Sequence, residues 1–219
     1  MLRALIFDMD GVLIDNSRYY TQAWAEFVAA HPDERLQAYP SDGIFGRRNL
    51  DLLRELLPEL GATRWDELSQ ELERRYWRLF QPHLRPIAGL PELLAEAGRR
   101  RLHLALATSA PYASMANVLG GLGWLTPSPF ELILTERDVV RGKPAPDIYR
   151  LAGERLGCAP GESVVFEDSL AGVEAGRAAG MTVLGLATSY PTPLLLEAGA
   201  EWVMTDYRDP RLRPRLGWD

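Results

Sequence analysis

Two aspartates lie at the end of a short apolar segment near the start of the chain. Residues 2–7 are mostly apolar, and Asp8 and Asp10 follow them directly, with Gly11 next. Because side chains alternate along an extended strand, both carboxylates project to the same side, and Gly11 permits a sharp turn after them. Such a pair suits a bound cation or a dyad that shares one proton. A polar strand end without any chemistry is the third alternative.

Lys143 is the only lysine among the 24 basic residues, and every other basic residue is arginine. A lysine ammonium is a compact point charge, whereas the arginine guanidinium is a planar fork that fills a different space. One lysine in a chain that otherwise uses arginine indicates a position that requires an ammonium, for example beside carboxylates and a phosphate. Retention by chance is the alternative interpretation.

Polar residues also follow two further apolar segments that have the composition of buried strands. Thr108 and Ser109 end one of them, and Glu167 and Asp168 end the other. Ligands of open α/β sheets bind outside the carboxyl ends of the strands, where these residues would lie. The two hydroxyl residues suit an anion or, equally, the cap of the following helix.

The polar residues at this predicted sheet edge are four acids, one lysine and a hydroxyl pair, without a cluster of cysteine and histidine. Carboxylate oxygens are the ligands of hard cations, whereas zinc sites are typically built from sulfur and imidazole nitrogen. The sequence therefore predicts Mg²⁺ as the cofactor, which weakens the proton-sharing interpretation of Asp8 and Asp10.

The elements that position these residues alternate between short apolar strands and helices. This alternation predicts an α/β fold, with a three-layer Rossmann-like core built on a parallel sheet. Between residues 15 and 82, apolar residues instead recur at helical spacing, which predicts an inserted α-helical cap domain. We therefore assign residues 1–14 and 83–219 to the core and residues 15–82 to the cap. The predicted strands span residues 2–7, 102–107, 131–135, 163–166, 182–186 and 201–204.

Two segments lack a regular pattern. Residues 41–49 are rich in turn-forming residues and bring Arg47, Arg48 and Asn49 to the start of a helix. This loop either faces the catalytic edge of the sheet or is a solvated turn, because spacing alone does not give its direction. Residues 211–216 are rich in arginine, and we expect them to form a loosely attached tail.

Composition restricts the partners and the compartment. The 219 residues carry a net charge of −6, which disfavours nucleic acid held by electrostatic attraction. There is no run of about 18 apolar residues, so a membrane span is not expected. The first predicted strand begins almost at Met1 and leaves no room for a signal peptide, which predicts a cytoplasmic protein. We expect a monomer or weak dimer, in which the lone Cys158 has a packing role.

Four segments together resemble the motifs of the haloacid dehalogenase-like superfamily, and they occur in its order. They are Asp8-Met-Asp-Gly-Val-Leu, the strand-terminal Thr108, Gly142-Lys-Pro-Ala-Pro-Asp, and Phe166-Glu-Asp-Ser-Leu-Ala-Gly-Val-Glu-Ala-Gly. The resemblance covers the whole chain, including the helical insertion after the first strand. It is closest to the branch that contains β-phosphoglucomutase and small sugar-phosphate phosphatases.

The resemblance implies an enzyme that hydrolyses phosphoric monoesters of small metabolites. By analogy, Asp8 is the nucleophile that forms an aspartyl-phosphate, and Asp10 protonates the leaving alcohol and then activates water. Thr108, Lys143 and the Ser109 N–H hold the phosphoryl oxygens. The implied ligands of Mg²⁺ are Asp8, the backbone carbonyl of Asp10, Glu167 and Asp168. The expected substrate-binding residues are Ser109, Asn16, Arg47, Arg48 and Asn49.

Departures from the mutase pattern favour simple hydrolysis. Mutases of the branch carry Lys before and Arg three residues after the glycine matched by Gly46, where this chain has Phe45 and Asn49. A mutase must hold a second phosphate, and only a shifted Arg47 or Arg48 compensates for the loss. Dehalogenases of the superfamily lack an acid at the position of Asp10, which argues against carbon–halogen cleavage.

Two alternative functions remain open. The first is a phosphomutase of the β-phosphoglucomutase type, which would yield an isomerised sugar phosphate rather than free phosphate. The second is a non-enzymatic phosphoacceptor switch, which also combines acids, a hydroxyl and a lysine around Mg²⁺. Receiver domains of that kind are shorter and lack a helical insertion after the first strand. The identity of the substrate depends on cap loops, for which sequence provides no transferable code.

Overall fold

Six parallel strands form one sheet in the computed structural model, which describes residues 1–218. The strands are β1 (Ala4–Phe7), β2 (His103–Ala107), β3 (Leu132–Leu134), β4 (Ser163–Glu167), β5 (Thr182–Leu186) and β6 (Trp202–Met204). Their order across the sheet is β3-β2-β1-β4-β5-β6, so the chain starts in the middle and builds outwards in both directions. The predicted α/β fold with a parallel sheet is confirmed, and no strand end differs from its predicted position by more than two residues.

Strand β1 is buried on both faces, as its continuous apolar sequence requires in a parallel sheet. Leu5 and Phe7 belong to the hydrophobic core on one face, and Ala4 and Ile6 belong to the core on the other. The sheet is therefore the middle of three layers, as the Rossmann-like prediction requires. The helices from residue 90 onwards are α5 (Leu90–Arg99), α6 (Tyr112–Gly121), α7 (Asp147–Leu156), α8 (Leu170–Ala178), α9 (Thr192–Ala198) and α10 (Leu212–Arg215).

Four helices lie between β1 and α5, in the segment predicted to be helical. They are α1 (Ser17–Ala30), α2 (Glu34–Ala38), α3 (Asn49–Leu56) and α4 (Ala62–Phe80). The apolar residues of α1 and α4 are buried against each other at helical spacing, which stabilises the insertion by removing apolar surface from water. The chain leaves and re-enters the core side by side, because the Ile87 N–H donates to the Leu13 carbonyl at 2.9 Å. The division at residues 15 and 82 stays a prediction.

The expectation of a loosely attached tail is wrong. Leu212, Leu216 and Trp218 are buried in the main hydrophobic core, and the guanidinium of Arg100 lies 5.0 Å from the centre of the Trp218 ring. The arginines dominate the composition of this segment, but Leu212 and Leu216 are four residues apart and share one helical face. That apolar face packs on the core while the arginines remain at the surface.

Candidate active site

The sheet edge brings the predicted catalytic side chains together because β1 lies between β2 and β4. Phe7 pairs with Leu106 on one side and with Phe166 on the other. Asp8, Thr108 and Glu167 therefore lie at the carboxyl ends of three adjacent strands. The Asp8 N–H donates to the Phe166 carbonyl at 3.1 Å, which holds the nucleophile candidate in the plane of the sheet.

Lys143 reaches this edge from the loop before α7 and bridges two acids. Its Nζ atom lies 2.6 Å from Asp8 Oδ1 and 2.6 Å from Glu167 Oε1, and it also donates to the Ala107 carbonyl at 3.3 Å. The Lys143 side chain has no solvent exposure. All three ammonium hydrogens have an acceptor, so the buried charge is both paired and hydrogen-bonded.

The charges of this cluster are strongly coupled. Burial alone would lower the pKa of Lys143, but Asp8 and Glu167 raise it above its usual range. Burial raises the pKa of Asp8 to about 7, against the opposing effect of Lys143. Burial also acts to raise the pKa of Glu167, yet Lys143 and the Tyr149 hydroxyl hold it below its usual range. Lys143 is therefore a fixed cation, and a further cation would stabilise the ionised form of Asp8.

Asp8, Glu167 and Asp168 have the chemistry and the spacing of a metal site. One carboxylate oxygen from each lies within 4.8 Å of the others, and all three residues are buried. Burial and the charge of Glu167 raise the pKa of Asp168 well above its usual range. A bound dication would lower this pKa by stabilising the ionised carboxylate. Three hard oxygen donors without sulfur or imidazole fit Mg²⁺ better than zinc.

Asp10 is oriented by Asn16 rather than by Lys143. The Asn16 amide donates to Asp10 Oδ1 at 2.6 Å and to the Tyr76 hydroxyl at 2.7 Å, and its carbonyl accepts from the Gly11 N–H at 3.0 Å. Burial and the charge of Glu73 raise the pKa of Asp10 to about 7. A carboxyl that holds a proton near neutral pH suits general acid–base chemistry.

Two positions require glycine because another segment of the same chain approaches closely. Gly11 has φ of +69°, and a Cβ atom there would lie 1.7 Å from Asp168 Oδ2. Gly46, in the insertion, has φ of +76°, and its Cβ would lie 2.1 Å from Ser169 Oγ. Any side chain at either position would clash and would strain the backbone. Gly46 therefore lets the loop 41–49 lie directly against the carboxyl edge of the sheet.

A pocket between the insertion and the sheet edge contains both aspartates of the first motif. Its wall includes most of the residues predicted to bind substrate: Asn16, Arg47, Asn49 and Ser109, together with Thr108. The loop 41–49 therefore faces the sheet edge rather than solvent. Ser109 Oγ donates to the Gly46 carbonyl at 2.9 Å. Thr108 Oγ1 accepts from the Ala110 N–H and does not cap α6, whose N-cap is Pro111.

Arg48 does not line this pocket. Its guanidinium donates to Asp51 at 2.7 Å and to the carbonyls of Glu136, Val139 and Val140 at 3.2, 3.2 and 2.7 Å. These carbonyls belong to the core loop that leads to Lys143. Arg48 thus joins the insertion to the core, and we do not retain it among the candidate substrate-binding residues.

The residues of the pocket wall that had not been singled out from the sequence include Tyr20, Glu73, Tyr76 and Ser114. Tyr20 and Tyr76 belong to aromatic stripes that are more often bundle core, and Ser114 lies in an ordinary helical segment. Glu73 carried a detectable signal, because it follows the buried Ser69 by one helical turn on a face of α4 that is otherwise apolar. A polar pair on an apolar helical face is a sign of a site.

The family model for haloacid dehalogenase-like hydrolases matches residues 2–180. The chain belongs to this family. The predicted family and the prediction of a hydrolase enzyme are thereby confirmed. The match includes β1, β2 and β4, whose ends carry the predicted catalytic residues, and the whole helical insertion.

Relatives and solved structures agree with this assignment. A phosphorylated carbohydrates phosphatase of Thermotoga maritima is 33% identical over 207 residues, covering 91% of this chain and 92% of that protein. A β-phosphoglucomutase of Bacillus subtilis is 29% identical over 198 residues, covering 87% of this chain and 85% of that protein. A hydrolase from Pseudomonas syringae has a crystal structure that superimposes with a TM-score of 0.84 at 26% identity, covering 99% of this chain and 100% of that one. The predicted branch of mutases and sugar-phosphate phosphatases is confirmed.

Within residues 1–218, no helix combines the length and the apolar character needed to cross a membrane. The predicted cytoplasmic location and the predicted monomer or weak dimer stay predictions.

Proposed function

We propose that this protein is a Mg²⁺-dependent phosphatase that hydrolyses a small phosphomonoester, such as a sugar phosphate, through an aspartyl-phosphate on Asp8. One observation carries the proposal. Asp8 lies on the floor of a pocket, its Oδ1 atom is 2.6 Å from the ammonium of Lys143, and two further buried carboxylates are within metal-binding reach of it. The proposed nucleophile, a fixed ammonium and the carboxylates that could hold a metal ion thus lie together.

In the proposed first step, a carboxylate oxygen of Asp8 forms a bond to phosphorus and the bond between phosphorus and the alcohol oxygen breaks. The alcohol takes the proton of Asp10, which Asn16 holds by a 2.6 Å hydrogen bond. In the second step, Asp10 accepts a proton from water, which attacks the phosphorus and releases Asp8 and inorganic phosphate. One difficult displacement is thereby divided into two easier ones.

The phosphoryl oxygens need donors in addition to the cation. Thr108 Oγ1 already accepts from the Ala110 N–H, so its own hydroxyl hydrogen is available to a phosphoryl oxygen. Lys143 supplies a positive charge that is fixed before substrate arrives, which favours the charge that develops in the transition state. We propose the backbone N–H of Ser109 as a third donor.

Asp8, Glu167, Asp168 and the backbone carbonyl of Asp10 would hold the Mg²⁺. When bound, the ion would offset the negative charge of the carboxylates and the phosphate, so that an anionic nucleophile can approach an anionic group. The helical insertion would act as the cap that excludes water and contacts the leaving group.

The experiment is a screen of phosphomonoesters for released inorganic phosphate in the presence of Mg²⁺, with Asp8→Asn as the test variant. The amide is nearly isosteric but is not a nucleophile, so we expect turnover to vanish while the fold stays intact. Asp15→Asn, which alters an exposed aspartate of the same segment, is the matched control. Phosphatase activity retained by Asp8→Asn would contradict the mechanism.

The products separate this proposal from its alternatives. A phosphomutase, like the relative of that name, would return an isomerised sugar phosphate without stoichiometric inorganic phosphate. A phosphoacceptor switch would be labelled at Asp8 by acetyl phosphate and would keep the label for minutes instead of turning over.

A further inference from the structure

Glu73 is a carboxylate that the insertion presents to the active-site pocket. It lies on α4 and lines both this pocket and a wider groove between the insertion and α6 of the core. The wall of that groove includes five arginines: Arg48, Arg54, Arg74, Arg78 and Arg137. Its Oε1 atom accepts from the Asn49 amide at 2.8 Å, and its Oε2 atom accepts from the Ser114 hydroxyl. Both partners are neutral. Across the described residues 1–218, no arginine, lysine or histidine forms an ion pair with Glu73.

Glu73 retains hydrogen-bonding capacity on the side of the pocket. A carboxylate has about four acceptor positions, of which the protein fills two here. The groups around it are also neutral and polar, since Tyr20 donates to the Asn49 carbonyl and Tyr76 accepts from Asn16. Such a wall of acceptors and hydroxyl groups is complementary to an alcohol that carries several hydroxyls.

The location of Glu73 assigns it to the leaving group rather than to the phosphoryl group. The proposed phosphoryl donors Thr108, Ser109 and Lys143 all belong to the core, whereas Glu73 belongs to the insertion. Asp10 interacts with both sets, because the charge of Glu73 raises its pKa and the charge of Lys143 lowers it. A leaving group protonated by Asp10 would therefore extend towards Glu73.

Within the active-site pocket, whose wall includes none of the five arginines of the groove, a second anionic group on the substrate would meet Glu73, which forms no ion pair among residues 1–218. Arg47 is the cation of the insertion that lines the pocket, but its guanidinium is engaged by Glu55 at 2.6 Å and by the Tyr39 hydroxyl at 3.0 Å. Arg48 points away to the core loop. Like charges a few ångströms apart at a partly buried wall repel strongly enough to discriminate between substrates.

We propose that Glu73 is a specificity-determining residue that selects a neutral, polyhydroxylated leaving group and rejects one that carries a second phosphate or a carboxylate. This inference rests on the proposed phosphatase function, and it adds the chemical class of the substrate. The competing interpretation is a structural role, because the bond from Ser114 to Glu73 also fastens α4 of the insertion to α6 of the core.

The test uses two pairs of phosphomonoesters that differ only in one neutral or anionic end group. Glycerol 3-phosphate is compared with 3-phosphoglycerate, and sorbitol 6-phosphate with 6-phosphogluconate. Dissociation constants are measured by calorimetry with Mg²⁺ in the Asp8→Asn background, so that the result does not depend on turnover. The variant is Glu73→Gln, whose amide can still accept from Asn49 and donate to Ser114 Oγ. Glu71→Gln, two residues earlier on α4 and paired with Arg75 outside the pocket, is the matched control.

We expect the Asp8→Asn protein to favour the neutral member of at least one pair, and Glu73→Gln to reduce that preference about tenfold or more. Glu71→Gln should leave the preference unchanged. A structural role would weaken both members of a pair equally and keep their ratio, which would overturn the inference. Failure of both neutral members to bind would overturn it as well. If the ratio changes as expected but the wild type releases no phosphate, the proposed hydrolysis fails while the selectivity of Glu73 stands.

Discussion

The core and the insertion both present carboxylates to the same pocket, but the partners of these carboxylates differ in charge. On the core side, Asp8 and Glu167 share one buried ammonium, and Asp168 adds a third acid within metal-binding reach. On the insertion side, Glu73 has two neutral hydrogen-bond donors and forms no ion pair among residues 1–218. The core carboxylates thus have cationic partners, whereas the carboxyl group of the insertion is held by neutral groups alone.

Under the proposed function, each region recognises a different part of the substrate. A phosphoryl group needs positive charge, and the core supplies Lys143 and a site for a dication. A polyhydroxylated alcohol needs acceptors and hydroxyl groups without repulsion, which the insertion supplies. Neutralising Lys143 in the core should therefore lower the free energy of unfolding, whereas neutralising Glu73 in the insertion should raise it. The following predictions test that contrast.

The largest effect is expected from the metal. Chelation of divalent cations should abolish phosphate release, and added Mg²⁺ should restore it, because three acids at one sheet edge cannot receive a phosphate dianion unaided. Ca²⁺ should not restore it, since it prefers about six to eight ligands at longer distances and would engage both oxygens of Asp8. Phosphate release is measured after each addition, and equal rates with the two ions would contradict the prediction.

Removal of the buried ammonium should destabilise the metal-free protein. Lys143→Met leaves Asp8 and Glu167 without their shared partner, and an uncompensated buried charge costs about 3 to 5 kcal/mol. Urea unfolding at neutral pH in the presence of a chelator measures the change. Arg141→Met, which removes an exposed ion pair to Asp147 in the same loop, should change stability by less than about 1 kcal/mol. Similar losses for the two variants would mean that Lys143 does not balance the acids.

Replacing the ammonium of Lys143 with a guanidinium keeps the charge but changes its shape, and this should lower kcat/KM. Lys143→Arg places a longer, planar group where a compact ammonium reaches two carboxylates at 2.6 Å each. We expect kcat/KM to fall about 10² to 10³-fold, the range for loss of one fixed electrostatic donor. Arg141→Lys is the matched control and should keep the wild-type rate. A Lys143→Arg enzyme within a few-fold of wild type would indicate that the single lysine was retained by chance.

The smallest effect concerns the charge of Glu73 in the insertion and the way stability depends on pH. Burial, with a contribution from Glu136, raises the pKa of Glu73 from 4.5 to about 7. The folded state therefore keeps a proton that the unfolded chain loses between these values, and stability falls as the pH rises through this window. Asn49 and Ser114 oppose the shift, while Asp10 and Tyr20 face the same pocket.

Glu73→Gln removes this titration. Because Glu73 is partly open to the pocket, we expect the variant to gain about 1 to 2 kcal/mol relative to wild type between pH 5.5 and pH 8. Urea unfolding at both pH values measures the gain. Glu71→Gln should show no such gain, since Arg75 and His31 hold the pKa of Glu71 below its usual range despite partial burial. A gain that does not depend on pH would contradict an uncompensated charge at Glu73.

The residues of the core edge could be predicted from the sequence because their position follows from local pattern. Apolar segments of strand length end at Asp8, Thr108 and Glu167, and parallel strands bring such ends to one edge whatever the details of packing. Lys143 was detectable by composition alone, as the single lysine. The fold class followed from the same alternation of strands and helices.

Other features depended on tertiary packing, because a helix or a loop does not encode the direction in which it will face. Arg47 and Arg48 are adjacent in sequence, yet one lines the pocket and the other binds core carbonyls. Glu73 and Ser114 are 41 residues apart and meet only because the fold brings these positions of α4 and α6 within hydrogen-bond distance. The pattern within each segment was sufficient to predict the parallel sheet and the acids at its edge, and composition was sufficient to single out Lys143. The side chains of the insertion that complete the pocket could not be predicted in this way, because they depend on the relative placement of helices whose apolar faces allow several arrangements.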